Sequence, residues 1–304
     1  MITVMTYHKP VLLKESIQAL QIKSNGIYVD LTFGGGGHSM AILENLKEGS
    51  LYAFDQDADA AENASRINSK SFTFIKANFR YVDKFLKLHG VPQVDGILAD
   101  LGVSSYQIDT PERGFSTRFT GELDMRMDKS ALTSAKQVIN KYAEEELHRI
   151  FGMYGEVKNA KSLAAAIVQA RNQKPIKTSE QLKAILNEFA PRNREFKYYA
   201  QVFQALRIEV NNELEVLKEM LNRCMNILKP GGRFVIISYH SLEDRIVKNF
   251  FNKGKFFGDA EKDVYGNEIK PLKSITRKPI LASDMEIMEN NRARSAKMRI
   301  AEKL

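Results

Sequence analysis

The region between residues 27 and 46 shows three hydrophobic and polar patterns in succession. Residues 27–31 are mostly apolar and prone to form strand, and Asp30 stands near their carboxyl end. Four consecutive glycines follow at positions 34–37, where side chains would block a tight turn. Residues 39–46 then begin with a polar serine and continue with the apolar positions of an early helix. This order of strand, glycine turn and helix predicts the opening of a Rossmann-type nucleotide site.

Four later stretches have the apolar, β-prone composition of buried strands. They lie at residues 51–55, 72–79, 94–102 and 234–239. Acidic residues stand at the carboxyl ends of three predicted strands, at Asp30, Asp55 and Asp100. Because open α/β sheets bind ligands outside the carboxyl ends of their strands, we expect these acids to converge on one crevice.

The strand pattern disappears between residues 113 and 190. Helical patterns cover residues 134–142, 144–152, 160–172 and 179–190, and a long helix is predicted from Tyr198 to Leu228. The sequence therefore predicts an α/β domain formed by residues 1–112 and 198–304. An all-helical insertion, residues 113–197, interrupts it.

The glycine turn departs from the dinucleotide fingerprint. Reading G-x-G from Gly34 or Gly35 places Ser39 or Met40 where the third glycine belongs. An acid four residues before the first glycine suits S-adenosylmethionine, because Asp30 would attract its amine but would repel a pyrophosphate. The alternative is a glycine-rich turn that binds nothing.

Two residues on the neighbouring strands are candidates for the adenosine part of such a ligand. Asp55 follows Gly37 by 18 residues, near the spacing at which a Rossmann acid reaches a ribose. Phe79 stands just beyond the next strand, where its ring could lie against adenine. A solvated strand-end acid and a core aromatic are the alternatives.

Composition adds the type of partner and the compartment. The 304 residues carry a formal charge of +8, and residues 270–304 hold nine lysines and arginines against four acids. This excess favours a polyanionic partner, although a solvated tail would explain it as well. The single cysteine, Cys224, lies in an apolar helical pattern and is expected to be a core residue. No apolar run approaches membrane length, so we predict a cytoplasmic protein without membrane contact.

Several longer motifs carry a resemblance to one known family. In chain order they are Thr32-Phe33-Gly34 with Gly36-Gly37-His38-Ser39, Asp95 to Ser105, Arg113-Gly114-Phe115-Ser116, Leu123 to Met127, Phe203 to Ile208, Pro230 to Arg233, Ser241 to Lys248, and Arg292-Ala293-Arg294-Ser295. In this order they resemble the bacterial ribosomal RNA small-subunit methyltransferase H family across nearly the whole chain.

The resemblance implies a fold, a cofactor and a reaction. The fold is α/β, a Rossmann-type class I methyltransferase sheet with an inserted all-helical subdomain, and the cofactor is S-adenosyl-L-methionine. The reaction is methylation of N4 of a cytosine in 16S ribosomal RNA, with the small ribosomal subunit as partner and a homodimer as one possible state. The positions that match the family's cofactor contacts are Gly36, Gly37, His38, Asp55, Phe79, Asp100 and Gln107.

The chemistry of an exocyclic amine suggests further candidates. Its lone pair is delocalised into the ring, so an acceptor beside N4 would help to localise it, and Asp100 is the first candidate. Asp100 could instead touch only the cofactor, because the Pro-Pro pair usual after this acid in amino-methyltransferases is absent. The candidates on the substrate side are Tyr106, Tyr239, His240, Arg292 and Arg294. No metal site is predicted.

Two other functional classes stay open at this point. One is a Rossmann methyltransferase that acts on a protein or a small molecule. The other is a ribosome-assembly factor that binds RNA with little catalysis. Methyl transfer to ribosomal RNA would distinguish an RNA methyltransferase from both of these classes.

Overall fold

The computed structural model describes residues 9–304, which form two compact units. The first unit contains residues 9–102 and 215–304, and the second contains Val103–Leu214. The first holds the sheet and the second is helical, as the sequence predicts for a mixed α/β protein.

The elements are numbered in chain order. The helices are α1 Leu13–Leu20, α2 Gly37–Leu43, α3 Ala58–Ala64, α4 Val82–Leu88, α5 Ser105–Asp109, α6 Ala135–Lys141, α7 Glu144–Met153, α8 Ala160–Gln173, α9 Ser179–Phe189, α10 Glu195–Asn211, α11 Glu213–Ile227, α12 Ser241–Lys253 and α13 Asp284–Glu289, with 3-10 turns at Phe79–Tyr81, Pro111–Arg113 and Asn291–Ser295. The strands are β1 Ile27–Asp30, β2 Ser50–Asp55, β3 Phe72–Lys76, β4 Val94–Asp100, β5 Leu228–Ser238, β6 Glu261–Lys262, β7 Glu268–Ile269, β8 Leu272–Ser274 and β9 Lys297–Lys303.

Seven strands form one sheet in the order β3-β2-β1-β4-β5-β9-β8. The first five strands in this order are mutually parallel. Strand β9 runs antiparallel to β5, and β8 runs antiparallel to β9. The predicted Rossmann-type sheet is thereby confirmed, and the five predicted strands correspond to β1 to β5.

The register aligns the three strand-end acids. Asp30 on the central β1 stands opposite Ala53 of β2 and Leu98 of β4. Asp55 and Asp100 each lie two residues further along their own strands. The two carboxylates therefore flank the end of β1 on either side, at the carboxyl edge of the sheet.

Strand β9 lies near the end of the chain, where the sequence pattern predicts no strand. Strand β9 is buried along most of its length, although four of its seven residues are charged. Its Arg299 is buried and its Nε donates to Asp244 Oδ1 at 2.6 Å. Lys303 Nζ donates to the carbonyl oxygens of Met225 and Leu228, both at 2.6 Å. These cations connect β9 to α12 and to the junction between α11 and β5.

The segment that enters α1 is fixed by the other end of the chain. The backbone N–H of Leu12 donates to Glu286 Oε1 of α13 at 2.7 Å. Lys9 forms an ion pair with Glu289 at 3.3 Å. Helix α1 packs against α2, β4 and β5.

The helical unit is larger than the predicted insertion of residues 113–197. It begins at Val103 and includes α10, whose buried residues Val202 and Leu206 belong to the same apolar core as those of α6 to α9. The predicted helix from Tyr198 to Leu228 is two helices, because Asn212 adopts a left-handed conformation with φ of 50°. The sequence pattern hides this break because the apolar spacing continues across it.

Within residues 9–304, we find no helix with both the length and the apolar character that a bilayer crossing requires.

Candidate functional site

The turn after β1 is organised by Asp30. This carboxylate is fully buried, and its Oδ2 accepts a 2.6 Å hydrogen bond from Ser39 Oγ of α2. Its Oδ1 accepts from the backbone N–H of Thr32 at 3.0 Å. We expected Asp30 beside a ligand's amine, but both oxygens face the protein. Asp30 therefore ties strand, turn and helix together.

Two of the predicted glycines are required by close contacts. Gly36 has φ of 81°, and a Cβ there would approach the ring of Phe33 to 2.8 Å. A Cβ at Gly37 would come within 2.2 Å of Pro10. Pro10 precedes α1, so the segment that enters α1 lies against the glycine turn.

Asp55 lies beside the turn at the end of β2. Its Oδ2 accepts from the backbone N–H of Gly34 at 2.8 Å, and its Oδ1 accepts from the N–H of Asp57 at 2.9 Å. Burial raises the pKa of Asp55 to about 6, and the two backbone donors oppose this shift. Near neutral pH the group is a carboxylate, so it can accept hydrogen bonds from ribose hydroxyls.

Asp100 lies on the other side of β1 and contacts Tyr239. The Tyr239 hydroxyl, beyond the end of β5, donates to Asp100 Oδ1 at 2.7 Å. Burial raises the pKa of Asp100 to about 7, and nearby Asp30 and Glu243 raise it too, whereas the Tyr239 hydrogen bond lowers it. The backbone N–H of Asp100 donates to Thr32 Oγ1 at 2.6 Å. Asp100 is therefore a fixed carboxyl group that exchanges a proton near neutral pH.

His38 faces the second oxygen of Asp100. Its Nδ1 lies 3.9 Å from Asp100 Oδ2, and its Nε2 lies 3.1 Å from the carbonyl oxygen of Val11. Because a carbonyl oxygen only accepts, Nε2 carries the proton and Nδ1 has a free electron pair. Burial lowers the pKa of His38 to about 4, so the ring is neutral.

Two acceptors thus face each other across 3.9 Å, His38 Nδ1 and Asp100 Oδ2. When Asp100 is ionised, neither atom has a proton to give the other. A group with N–H donors would satisfy both acceptors, so this part of the site has the chemistry to recognise an amine.

Two other predicted cofactor contacts occupy different positions. Phe79 is half-buried in the 3-10 turn that follows β3, at the same edge of the sheet as Asp55. Gln107 belongs to the helical unit, where its Oε1 accepts from the N–H of Ser104 at 3.0 Å and closes the capping box of α5. Its contact with a cofactor stays a prediction.

The predicted substrate residues divide by exposure. Tyr106 on α5 is 44% exposed. The Tyr239 hydroxyl is engaged with Asp100, and His240 caps α12, where its Nδ1 accepts from the N–H of Glu243 at 3.4 Å. These two side chains therefore have structural partners. A contact between the substrate and any of these three residues stays a prediction.

The two predicted arginines also differ from each other. Both lie in the 3-10 turn before β9, where Arg292 is half-buried and Arg294 is exposed. Arg294 therefore has the more open setting, and an RNA contact by either arginine stays a prediction.

Sequence reasoning missed three contributors to the site. Pro10 and Val11 contact the turn and His38, and Thr32 links the ends of β1 and β4. Thr32 could have been found from the sequence, because it belongs to the Thr32-Phe33-Gly34 motif. The contacts of Pro10 and Val11 depend on the tertiary fold.

Comparison with known proteins places the chain in a family. The family model described as the MraW methylase family matches residues 5–304. The ribosomal RNA small subunit methyltransferase H of Cytophaga hutchinsonii is 62% identical over 297 residues, which cover 98% of this chain and 99% of that protein. Its counterpart in Flavobacterium johnsoniae is 56% identical over 305 residues and covers 100% of both chains. The solved structure of an rRNA methylase from Streptococcus thermophilus aligns over 98% of both chains, with a TM-score of 0.43 and 12% identity. From the matches that run along almost its whole length, we conclude that this chain belongs to the MraW methylase family.

Proposed function

We propose that the protein transfers a methyl group from S-adenosyl-L-methionine to the exocyclic N4 of a cytosine in 16S ribosomal RNA. The relatives named above support ribosomal RNA of the small subunit as the substrate. The observation that carries the choice of an amine is Asp100, with one oxygen held by Tyr239 and the other facing neutral His38.

The first unit fits the cofactor in two respects. A Cβ on Gly35 would meet no atom within 4 Å, so there is open space over the glycine turn. Asp55 presents a carboxylate at the end of the neighbouring strand, where a ribose would be bound. When bound, the cofactor supplies an electrophilic methyl group on a sulfonium.

Asp100 has two tasks in this reaction. As a carboxylate, Oδ2 accepts a hydrogen bond from N4–H, which favours a pyramidal nitrogen with a localised electron pair. With the cofactor held at the glycine turn and Asp55, this pair would accept the methyl group that the sulfonium would supply, and the electrons of the broken S–CH₃ bond would stay on sulfur. N4 then loses its extra proton to Oδ2, which can take it because the pKa of Asp100 is about 7.

Tyr239 and His38 position this carboxylate. The phenol of Tyr239 fixes Oδ1, which leaves Oδ2 for the substrate. His38 stays neutral and does not compete as a donor, because its only ring proton points to Val11. His38 Nδ1 is a second acceptor, but the pKa of His38 is about 4 and that of Asp100 is about 7, so the proton released by N4 goes to Asp100.

The sulfur chemistry of the chain argues against methylation of the cytosine ring carbon. C5 becomes nucleophilic enough only after a thiolate adds to the ring, which requires an accessible cysteine. The only cysteine, Cys224, is fully buried in α11 as predicted, and burial raises the pKa of its thiol well above the usual value. An exocyclic nitrogen needs no such nucleophile.

Nucleoside mass spectrometry tests the proposal. Ribosomal RNA from cells with and without the protein is digested, and N4-methylcytidine is separated from its N3 and C5 isomers. We expect the N4 isomer to disappear from small-subunit RNA without the protein and to return with the wild-type protein but not with Asp100→Asn.

The two alternative classes give different outcomes. If the RNA nucleosides are unchanged and labelled methyl groups are transferred to protein, the substrate is a protein and not RNA. Defective subunit assembly with an intact methylation pattern would indicate an assembly factor.

A further inference from the structure

The outer edge of the sheet carries a bulge beside β9. The backbone N–H of Ile275 donates to the carbonyl oxygen of Ile300 at 2.9 Å. The next contact is at Ile280, which exchanges hydrogen bonds of 2.8 and 2.9 Å with Met298. Four residues, 276–279, therefore stand opposite the single residue Arg299, and they must loop outward.

This bulge is level with the proposed catalytic carboxyl group. Ile280 pairs with Met298, Met298 pairs with Ile237, and Ile237 pairs with Asp100. These four residues form one row across the sheet. Because neighbouring strands are about 4.8 Å apart, the edge is roughly 14 Å from the backbone of Asp100.

The bulge exposes two adjacent cations, Arg277 and Lys278. Neither has an ion-pair partner among residues 9–304. The three cations of the adjacent β9 are engaged, since Lys297 and Arg299 pair with Asp244 and Lys303 binds backbone carbonyls. Arg277 and Lys278 are thus available to an anion from outside.

We propose that Arg277 and Lys278 bind backbone phosphates of the RNA strand that flanks the target cytosine. This inference rests on the proposed function and adds the direction in which the strand leaves the site, which is across β5 and β9 towards the outer edge. Phosphate contacts at this distance would position the strand without reading its sequence.

Exposed cations on an edge strand have another established use. They discourage a second chain from pairing with the edge. Reversal of charge separates the two roles, because glutamates still protect the edge but repel phosphates. The informative variant is therefore Arg277→Glu with Lys278→Glu.

A matched control exists at the far end of the sheet. Arg66 and Lys70 lie between α3 and the amino end of β3, are exposed and have no ion-pair partner in the described chain. The double variant Arg66→Glu with Lys70→Glu makes the same change in net charge on the same unit.

The test compares salt titrations of RNA binding for the wild type and the two double variants. The probes are naked 16S RNA and small subunits, both from cells that lack the protein. For the bulge variant we expect Kd for both probes to rise roughly tenfold or more at about 0.1 M salt. The slope of log Kd against log salt should fall by about 1.4, which is the value for two lost contacts to single-stranded RNA. The control variant should keep the wild-type slope.

Three results would overturn the inference. The first is an unchanged Kd and slope in the bulge variant, and the second is an equal loss in both variants. The third is weaker binding to subunits alone, which would assign the bulge to a ribosomal protein. Melting temperatures identify a variant that misfolds, and Arg277→Gln with Lys278→Gln then replaces it.

Failure of the proposed function would look different. Binding is measured without turnover, so an RNA that binds with the expected slope but is never methylated would contradict only the reaction. Normal methylation with an unchanged slope would contradict only the phosphate contact.

Discussion

The phenol of Tyr239 donates a 2.7 Å hydrogen bond to Oδ1 of Asp100, across 139 positions of sequence. It joins the ends of two adjacent parallel strands, β4 and β5, at the edge where the acids gather. The bond lowers the pKa of a carboxyl group that burial raises to about 7. The fraction of ionised Asp100 near neutral pH therefore depends on Tyr239.

Replacement of Tyr239 by phenylalanine should shift the pH dependence of methyl transfer. The single-turnover rate of the wild type should rise with pH through an apparent pKa near 7, because ionised Asp100 is the acceptor. Tyr239→Phe removes a donor to the carboxylate, so the midpoint should move upward by roughly one unit. The measurement is a single-turnover rate profile at saturating cofactor.

The matched control is Asp100→Asn, which should lower the rate by roughly a hundredfold or more and abolish the rise of the rate with pH near pH 7. If the rate of this variant still rises near pH 7, another group titrates. Equal losses of rate and cofactor affinity would assign Asp100 to the cofactor alone.

Asp100 should also make folding stability depend on pH. Its folded pKa of about 7 exceeds the unfolded value of 3.8. Between these values the folded state keeps a proton that the unfolded state releases, so ionisation of Asp100 destabilises the fold as pH rises. Asp100→Asn should therefore be more stable than the wild type by roughly 1–3 kcal/mol at pH 8. Urea titrations at pH 8 and pH 4 measure the difference, which should vanish at the lower pH; a pH-independent difference would exclude this origin.

Asp55→Ala should weaken cofactor binding without loss of the fold. The lost hydrogen bonds to ribose from a charged acceptor correspond to roughly 1–3 kcal/mol. In the wild type, affinity should fall as pH drops through about 6, where Asp55 takes up a proton. Calorimetry across this range measures both effects, and an unchanged dissociation constant would remove Asp55 from the ribose site.

The glycine turn offers a comparison between two positions that are two residues apart. A Cβ at Gly37 would collide with Pro10 at 2.2 Å, whereas a Cβ at Gly35 would meet no protein atom within 4 Å. Gly37→Ala should lower stability by roughly 1–3 kcal/mol through overpacking. Gly35→Ala should melt like the wild type but bind cofactor more weakly if the ligand fills that space. Normal binding by Gly35→Ala would place the cofactor elsewhere.

The arginines before β9 should respond differently to charge reversal. Arg294→Glu should raise the Michaelis constant for RNA several-fold and leave the melting temperature unchanged, because the side chain is exposed. Arg292→Glu should lower the melting temperature, because that side chain is half-buried. A salt titration and a melting curve for each variant test this. If Arg294→Glu loses stability and the salt slope of RNA binding is unaltered, Arg294 contacts another part of the protein and not the RNA.

The parallel part of the sheet could be predicted because its signals are local. Each strand is a short apolar run that ends in a turn or an acid, and four glycines mark the ligand turn. Strand β9 could not be recognised in this way. Met298 and Ile300 are separated by Arg299, whose charge is neutralised by Asp244, 55 positions away. Because the partner of Arg299 is distant in sequence, the composition of β9 resembles that of a surface segment although the strand is buried.

In the site, too, some features follow from local sequence and others depend on the tertiary fold. Asp55 and Asp100 could be placed at one edge because parallel strands align their ends. The protein partners of Asp30 could not be predicted, because the sequence does not show that Ser39 and Thr32 donate to its two oxygens. The tautomer of His38 depends on Val11, 27 positions earlier, and follows only from the folded chain.

The hydrogen bond from Leu12 to Glu286 has a consequence for the order in which the protein matures during synthesis. Pro10 and Val11, which adjoin the glycine turn and His38, precede Leu12 directly, so their placement depends on a carboxylate that is translated 274 positions after Leu12. At about 5–20 residues per second, this interval is on the order of tens of seconds. Nascent chains therefore contain every residue of the glycine turn long before Pro10 and Val11 can be held beside it. We expect the ability to bind cofactor to appear abruptly, once α13 has left the ribosomal exit tunnel.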